Sequence, residues 1–134
     1  LVKLFMQVPA IKCHIFTKHV SRPYHIGRIS VFPVNNENFI QSLVTGAGAI
    51  CGAGFETPAE VLYLNKKLLV VPMKSQYEQQ CNAAALKKLG VPVIKKMKKK
   101  SVKKIIEWID ERPLNIEIPN ITEKAVIRLF AKYK

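Results

Sequence analysis

The segment 52–60 combines a glycine pair with the start signals of a helix. Thr57, Pro58 and Glu60 occur at the spacing of an N-cap, a first helical residue and a third helical residue. Backbone N–H groups without a partner at such a terminus, together with the positive end of the helix dipole, favour an anion. The sequence therefore predicts a phosphate site here, although an ordinary strand-to-helix turn gives the same pattern.

A second start signal of the same kind occurs at Ser75 and Glu78. In an open parallel sheet, ligands lie outside the carboxyl ends of the strands, where the following helices begin. The first start offers backbone donors from residues 54–57. The second carries side chains that bind hydroxyl groups, namely Gln76, Glu78, Gln79 and Gln80. A phosphate cradle beside such groups suits a nucleotide attached to a sugar, but capping alone also explains Glu60 and Glu78.

Two common nucleotide fingerprints are absent from this sequence. Gly52 and Gly54 are followed by Thr57, where the third glycine of a dinucleotide-binding loop would stand. No Walker lysine follows the glycines either. A dinucleotide oxidoreductase is therefore disfavoured, and we expect no resident cofactor.

The cysteines and histidines do not occur at metal-binding spacings. Cys13, Cys51 and Cys81 are odd in number, far apart and free of any CxxC pattern. The three histidines form no paired-ligand spacing with them. We therefore expect no metal site, and reduced thiols in a cytoplasmic compartment.

Length and composition indicate one soluble globular domain. The 134 residues are 49% hydrophobic and 23% charged, and no apolar run is long enough to span a bilayer. More than half of the net charge of +13 comes from one short segment, here called the lysine run. Its lysines are Lys95, Lys96, Lys98, Lys99, Lys100, Lys103 and Lys104.

The lysine run has three interpretations. A solvated basic loop explains it without any partner. Binding to anionic lipid is a more specific alternative, because each lysine near such a surface contributes about 1 kcal/mol of binding free energy. That contact would place the protein at the inner face of a membrane. Nucleic acid is disfavoured, since no aromatic residues are interleaved with the lysines for stacking on bases.

Strand-like apolar runs alternate with helical patterns, which predicts an α/β fold with a Rossmann-like, doubly wound parallel sheet. The run 68–73 is apolar without alternation, as in a central strand covered on both faces. The segment 17–27 is predicted to be a loop. Such a sheet usually begins with its central strand, whereas this sequence begins with a helical pattern over residues 1–8. We therefore expect the first strand to be missing.

A resemblance to the C-terminal half of GT-B glycosyltransferases covers residues 29–112. It rests on the segment 51–73, on Gln76-Tyr-Glu-Gln-Gln-Cys-Asn-Ala83 and on Leu89-Gly90. The sequence looks most like a bacterial group related to the macrolide and UDP-glucuronosyl transferases and to the peptidoglycan N-acetylglucosaminyltransferase. The resemblance implies a donor-binding domain, incomplete at its N-terminus, over residues 1–112. Residues 113–134 are then a linker and a C-terminal helix.

The resemblance also implies roles for individual residues. The glycine loop matches the one that meets the donor diphosphate, and the acids match those that hold the ribose and the donor sugar. Main-chain atoms of the loop after the second predicted strand match those that meet the base. The implied contacts are Gly54, Phe55, Glu56 and Thr57 for the diphosphate, Glu60 for the ribose, Glu78 and Gln79 for the sugar, and Phe32 and Val34 for the base.

The sequence departs from this family's pattern in ways that limit the comparison. Gly52 stands where many relatives have His, Ser or Asn beside the phosphates, which removes one side-chain contact. The acceptor site and the catalytic base of such enzymes belong to the N-terminal half, so no catalytic residue is predicted here. These enzymes need no metal, because loop amides and a helix dipole stabilise the leaving diphosphate.

The leading hypothesis is the UDP-sugar-binding half of a hexosyltransferase, inactive as a fragment. Its implied partners are a UDP-sugar, an acceptor that is lipid-linked in many proteins of this fold, and an N-terminal acceptor domain of the same chain. The alternative hypothesis is a basic α/β module that binds nucleic acid or an anionic membrane without transferase activity.

Overall fold

A computed structural model describes residues 1–9 and 11–132. This part of the chain contains five strands and six helices. The strands are β1 (Cys13–Thr17), β2 (Tyr24–Ile26), β3 (Ile29–Pro33), β4 (Gly48–Cys51) and β5 (Lys67–Val70). The helices are α1 (Val2–Phe5), α2 (Asn36–Thr45), α3 (Glu56–Tyr63), α4 (Tyr77–Lys88), α5 (Ser101–Asp110) and α6 (Thr122–Lys132).

The described strands form two hydrogen-bonded sets. β1 pairs in parallel with β3, and β4 pairs in parallel with β5. The predicted strand over residues 91–94 is reduced to a single parallel bridge from Val93 to Val70, on the far side of β5. Parallel strands joined through helices confirm the predicted α/β class with a Rossmann-like sheet.

The segment 17–27 contains a strand, so its prediction as a loop was wrong. β2 pairs antiparallel with β3, with Tyr24 opposite Val31. Gly27 forms the turn between them with a φ of +57°, which costs glycine little. All three residues of β2 are exposed, so no buried apolar run marks the strand in the sequence.

The sheet is covered on both faces, as the unbroken apolar run of β5 predicts. Leu69 belongs to a buried cluster with residues of α1 and α5, whereas Leu68 and Val70 belong to a second cluster with residues of α2, α3 and α4. Successive side chains of a strand point to opposite faces. The two clusters therefore lie on opposite sides of the sheet, which is the doubly wound arrangement.

Trp108 fixes α5 to the sheet. Its side chain is 7% exposed, and its Nε1–H donates to the carbonyl oxygen of Leu68 at 3.2 Å. The start of α5 is fixed separately, since the buried Ser101 hydroxyl accepts from the Lys98 N–H and donates to the Lys96 carbonyl. The helix that carries the last two lysines of the lysine run is thus held near both of its ends.

Both predicted capping boxes are wrong by one or two residues. α3 begins at Glu56, so Thr57 is its second residue and not its N-cap. α4 begins at Tyr77, with Gln76 and not Ser75 in the cap position. Neither start has a side-chain hydrogen bond to its first turn. In α3 the reason is that Phe55 already has helical φ and ψ of −87° and −48°, which extends the helix into the loop.

The end of α3 follows the prediction made for Asn65. This residue adopts a φ of 52°, in the left-handed region that asparagine tolerates. The N–H of Lys66 donates to the Val61 carbonyl, and the N–H of Asn65 donates to the Leu62 carbonyl. These two bonds form a Schellman motif, which returns the chain sharply into β5.

All three cysteines are free thiols. Burial raises the pKa of the Cys51 thiol to about 12. Burial also raises the pKa of the Cys13 thiol above its usual value. Both groups are therefore protonated near neutral pH and poorly nucleophilic, since the thiolate is the reactive form.

Replacing Trp108 with Phe should lower the free energy of unfolding by about 1–3 kcal/mol, because the Leu68 carbonyl loses its donor in a buried site. Chemical denaturation followed by circular dichroism measures this. Glu107→Ala is the matched control on the same helix, since Glu107 makes only an exposed 3.9 Å ion pair with Lys103. The control should change stability by less than about 1 kcal/mol. Equal losses in the two variants would contradict the anchoring role of Trp108.

Candidate functional site

Three connections meet at the carboxyl edge of the parallel strands. They follow β3, β4 and β5 and lead into α2, α3 and α4. The residues predicted to contact a nucleotide sugar all lie at the end of β3, in these connections or in the first two turns of α3 and α4. The fold therefore brings them to one edge, where open parallel sheets bind ligands.

The side chain of Gln79 connects two of these loops. Its Oε1 accepts from the backbone N–H of Ala53 at 3.2 Å and from that of Met73 at 3.0 Å. Its Nε2 donates to Oε1 of Gln76 at 2.6 Å. An amide oxygen has two lone pairs, so both are engaged. Gln79 thus sets the spacing of the loops, and its contact with a donor sugar stays a prediction.

Two further amide side chains of α4 reinforce this connection. Nδ2 of Asn82 donates to the Ala53 carbonyl at 3.1 Å, and Nε2 of Gln80 donates to the Met73 carbonyl at 2.8 Å. Sequence reasoning placed Gln80 among hydroxyl-binding groups and gave Asn82 no role. The sequence signal for this role was the spacing of Gln79 and Asn82. Residues three apart lie on the same face of a helix, so both side chains can reach the same loop.

Gly52 lies against the same Gln79 amide. A Cβ atom at this position would lie 3.2 Å from Oε1 of Gln79, closer than most side chains approach a neighbour. A side chain at this position would press on the amide that binds the two loops, which would have to shift by a few tenths of an ångström. Gly54 differs, since a Cβ there would meet nothing within 4 Å. The space beside Gly54 is open to a ligand.

The first turns of α3 and α4 present backbone donors at this edge. The first N–H groups of a helix have no partner within it. In the described residues, no side chain caps either helix. Such donors and the positive end of the helix dipole attract an anion. The absence of caps therefore strengthens the case for anion binding that the predicted capping boxes had weakened.

The carboxylates of Glu60 and Glu78 are exposed and do not cap the helices. Glu60 is the fifth residue of α3, one turn beyond the donors, and Glu78 is the second residue of α4. Within the described part of the chain, neither takes part in an ion pair. The capping explanation of both residues is therefore wrong, and both carboxylates are accessible to a ligand.

Phe32 belongs to an aromatic cluster that sequence reasoning missed. Its ring stacks on Phe16 with centroids 5.4 Å apart, and the rings of His14 and His25 meet it edge-on at 5.3 and 6.2 Å. The signal was the alternation of His14 and Phe16 in β1, because Phe16 lies opposite Phe32 in the paired strand β3. Val34 follows at 55% exposure. The cluster gives the loop after β3 a rigid base, and the predicted contact with a nucleotide base stays a prediction.

Features away from this edge bear on the other predictions. All seven lysines of the lysine run are exposed. Among the described residues, no group of three or more His, Cys, Asp or Glu could hold a metal ion. No described helix has both the length and the apolar character that crossing a bilayer requires. The predicted independence from metal stays a prediction.

Replacing Gln79 with Leu should speed amide hydrogen exchange at Ala53 and Met73 by at least about tenfold, because both N–H groups lose their acceptor. NMR exchange measurements on the folded variant test this directly. Gln80→Leu is the matched control, since it removes one bond to the Met73 carbonyl and none to Ala53. An unchanged exchange rate at Ala53 in Gln79→Leu would contradict the proposed connection.

Comparison with known proteins identifies the family of this chain. No curated protein matches the chain. The family model described as Glycosyl transferase family 1 matches residues 1–113, which is most of the sequence. The match includes β1 to β5 and the whole of the loop-bearing edge. The chain therefore belongs to Glycosyl transferase family 1 and carries a glycosyltransferase domain.

Proposed function

We propose that this chain is the donor-binding half of a hexosyltransferase. It would bind a UDP-sugar, from which the full-length enzyme transfers the sugar to an acceptor. The observation that carries the proposal is the presence of two uncapped helix starts at one sheet edge, joined through Gln79. Membership of the glycosyltransferase family supports it, because transfer requires an activated donor. A nucleotide sugar has the diphosphate and the hydroxyl groups that such an edge can bind.

Residues 54–57 would contact the diphosphate. Gly54 leaves open space, and Glu56 and Thr57 would contribute their backbone N–H groups at the start of α3. The carboxylate of Glu56 must point away, since it would repel phosphate. Fixed donors of this kind stabilise the charge that develops on the leaving diphosphate, without reorganisation during the reaction. This chemistry would supply the metal-independent departure of the nucleotide.

The carboxylates would bind the hydroxyl groups of the donor. Glu60 would accept hydrogen bonds from the ribose, and Glu78 would accept them from the transferred sugar. Bonds to an ionised carboxylate are about twice as strong as neutral ones. Gln79 would add the second N–H of its Nε2, because Oε1 is already engaged. Main-chain atoms near Phe32 and Val34 would meet the base.

The proposal assigns no catalytic base to this chain. An N-terminal acceptor domain of the same full-length protein would bind the acceptor and supply the catalytic base. The reaction would take place in the cytoplasm, where nucleotide sugars are used. The 134-residue chain alone should therefore bind donor without turnover. Transfer of sugar by the purified chain alone would overturn this division of roles.

Titration of the 134-residue chain with UDP and UDP-glucose should shift the NMR signals of Gly54, Phe55, Thr57 and Glu60 together. Glu60→Gln should weaken UDP binding about tenfold, because the ribose loses a charge-assisted hydrogen bond. Calorimetry measures the affinities, and Glu107→Gln on α5 is the charge-matched control. If the signals of residues 54–60 do not shift when UDP or UDP-glucose is added, the proposed donor site is wrong.

A second candidate function concerns the exposed lysine run. We propose that it contacts anionic lipid, because seven exposed lysines lie together in the short connection and first turn before the buried face of α5. Basic segments of this kind bind the anionic leaflet by electrostatic attraction. Such contact would hold the enzyme at the inner membrane face, near an acceptor that is lipid-linked. The nucleic-acid alternative is distinguished by the same assay.

Replacing Lys98, Lys99 and Lys100 with Ala should weaken binding to phosphatidylserine vesicles about 100-fold, because each lysine contributes about 1 kcal/mol at such a surface. Vesicle sedimentation at low and moderate salt measures this. Replacing Lys74, Lys87 and Lys88 with Ala removes the same charge elsewhere and is the control. Equal losses of vesicle affinity in both variants would show that binding depends on net charge and not on the position of the lysine run. Tighter, salt-sensitive binding to RNA than to vesicles would favour the nucleic-acid module.

A further inference from the structure

The lysine run starts at the carboxyl edge of the parallel strands. Val93 bridges Val70 in parallel, and the N–H of Ile94 donates to the Val70 carbonyl at 3.0 Å. Val70 is the last residue of β5, so the chain leaves the sheet after Ile94 at the end where β5 also stops. The first lysine of the run, Lys95, is the next residue. The run therefore begins beside the connection that leads from β5 into α4.

The direction of α5 agrees with this placement. Trp108 bonds the Leu68 carbonyl, and Nζ of Lys67 donates to the Ile109 carbonyl. Lys67 and Leu68 are the first two residues of β5, so the end of α5 lies at the amino edge of the sheet. The helix has ten residues and is about 15 Å long, which carries its start toward the carboxyl edge. The last two lysines of the run, in the first turn of α5, therefore lie near that edge as well.

The run and the helix starts of the candidate site lie on opposite faces of this edge. Helices α3 and α4 pack on the cluster that contains Leu68, whereas α5 packs on the cluster that contains Leu69. Met97, within the run, packs on the α5 side and lines one cavity with Gly52 and Val71, which directly follow β4 and β5. The run is thus next to the loops of the site but across the sheet from the first turns of α3 and α4.

The candidate site itself has a net negative charge. The connections after β4 and β5 and the first two turns of α3 and α4 contain three glutamates, Glu56, Glu60 and Glu78, and one lysine, Lys74. All four side chains are exposed. The diphosphate of a nucleotide sugar is anionic, so these carboxylates oppose its approach. The seven exposed lysines of the run outnumber them and make the field of the whole edge attractive to an anion.

The run is close enough for its charge to act on this site. Neighbouring strands lie about 4.8 Å apart. Lys95 is two residues beyond the bridge on one side of it, and Pro72 is two residues beyond it on the other. Exposed charges act over a screening length of about 8 Å at physiological salt. The field of the run therefore extends over the loop that follows β5.

We propose that the lysine run attracts the anionic nucleotide sugar to the candidate site and speeds its binding by electrostatic steering. This inference rests on the donor site proposed above, and it gives the run a role that contact with lipid does not supply. Lysines across the sheet from the helix starts act on the approaching ligand through their field, without touching the bound ligand. They raise the association rate constant and leave the dissociation rate constant nearly unchanged.

The test measures both rate constants for UDP on the 134-residue chain, by NMR line-shape analysis of the Gly54 and Thr57 signals. A run variant combines four substitutions, and its association rate constant should be at least about fivefold lower at about 0.01 M salt. Its dissociation rate constant should change by less than about twofold. At about 1 M salt, where the screening length is about 3 Å, both chains should associate at the same rate. The substitutions are Lys95→Gln, Lys96→Gln, Lys98→Gln and Lys99→Gln.

Two further variants separate the position of the charge from the net charge and from side-chain shape. An amino-edge variant removes four exposed charges where β1 begins and where α4 and α5 end, and it should keep the association rate constant within about twofold. A variant with Arg at the four positions of the run should also keep it, because steering depends on charge alone. The amino-edge substitutions are Lys12→Gln, Lys87→Gln, Lys88→Gln and Arg112→Gln.

Four results would overturn the steering role. They are an unchanged association rate constant in the run variant, an equal decrease in the amino-edge variant, a decrease in the Arg variant, and faster dissociation with unchanged association. The last result would mean that the lysines contact the bound ligand. In each of these cases UDP still shifts the signals of residues 54–60, so the donor site stands. If UDP shifts none of those signals in the unaltered chain, the donor site and the steering role are both wrong.

Discussion

The side-chain amide of Gln79 is the interaction on which the candidate site depends. One oxygen accepts from the N–H groups of Ala53 and Met73, which follow two different strands. This bond converts two loops, each free to vary alone, into one surface with fixed spacing. It also makes the lack of a side chain at Gly52 favourable, because a Cβ there would lie only 3.2 Å from that oxygen. A structural amide at the centre of the edge thus leaves the flanking helix starts and carboxylates to a ligand.

The first N–H groups of α3 and α4 can bind a ligand because no side chain caps either helix. A capping side chain would have satisfied the first N–H groups of α3 and α4, and no such bond forms in either. The donors of α3 therefore lie beside the open space at Gly54, with the carboxylate of Glu60 one turn away. The proposed donor, which has a diphosphate followed by hydroxyl groups, matches this order of groups.

The strands form two separate hydrogen-bonded sets, and the candidate site includes residues from both of them. The candidate site lies mainly at the ends of β4 and β5, whereas the aromatic cluster of Phe16 and Phe32 lies on β1 and β3. The two sets are joined by α2 and by the buried cluster around Leu69 and Trp108, without backbone pairing between β1 and β4.

The sequence by itself determined the α/β class, the burial of β5 on both faces and the left-handed end of α3, because hydrophobic period and the tolerance of Asn65 are local properties. It also placed the site residues at one edge. Tertiary structure decided the helix starts, the exposed strand β2 and the use of Gln79 as a connector between Ala53 and Met73. These depend on contacts between residues distant in sequence, such as the 26 positions between Ala53 and Gln79, which no local pattern records.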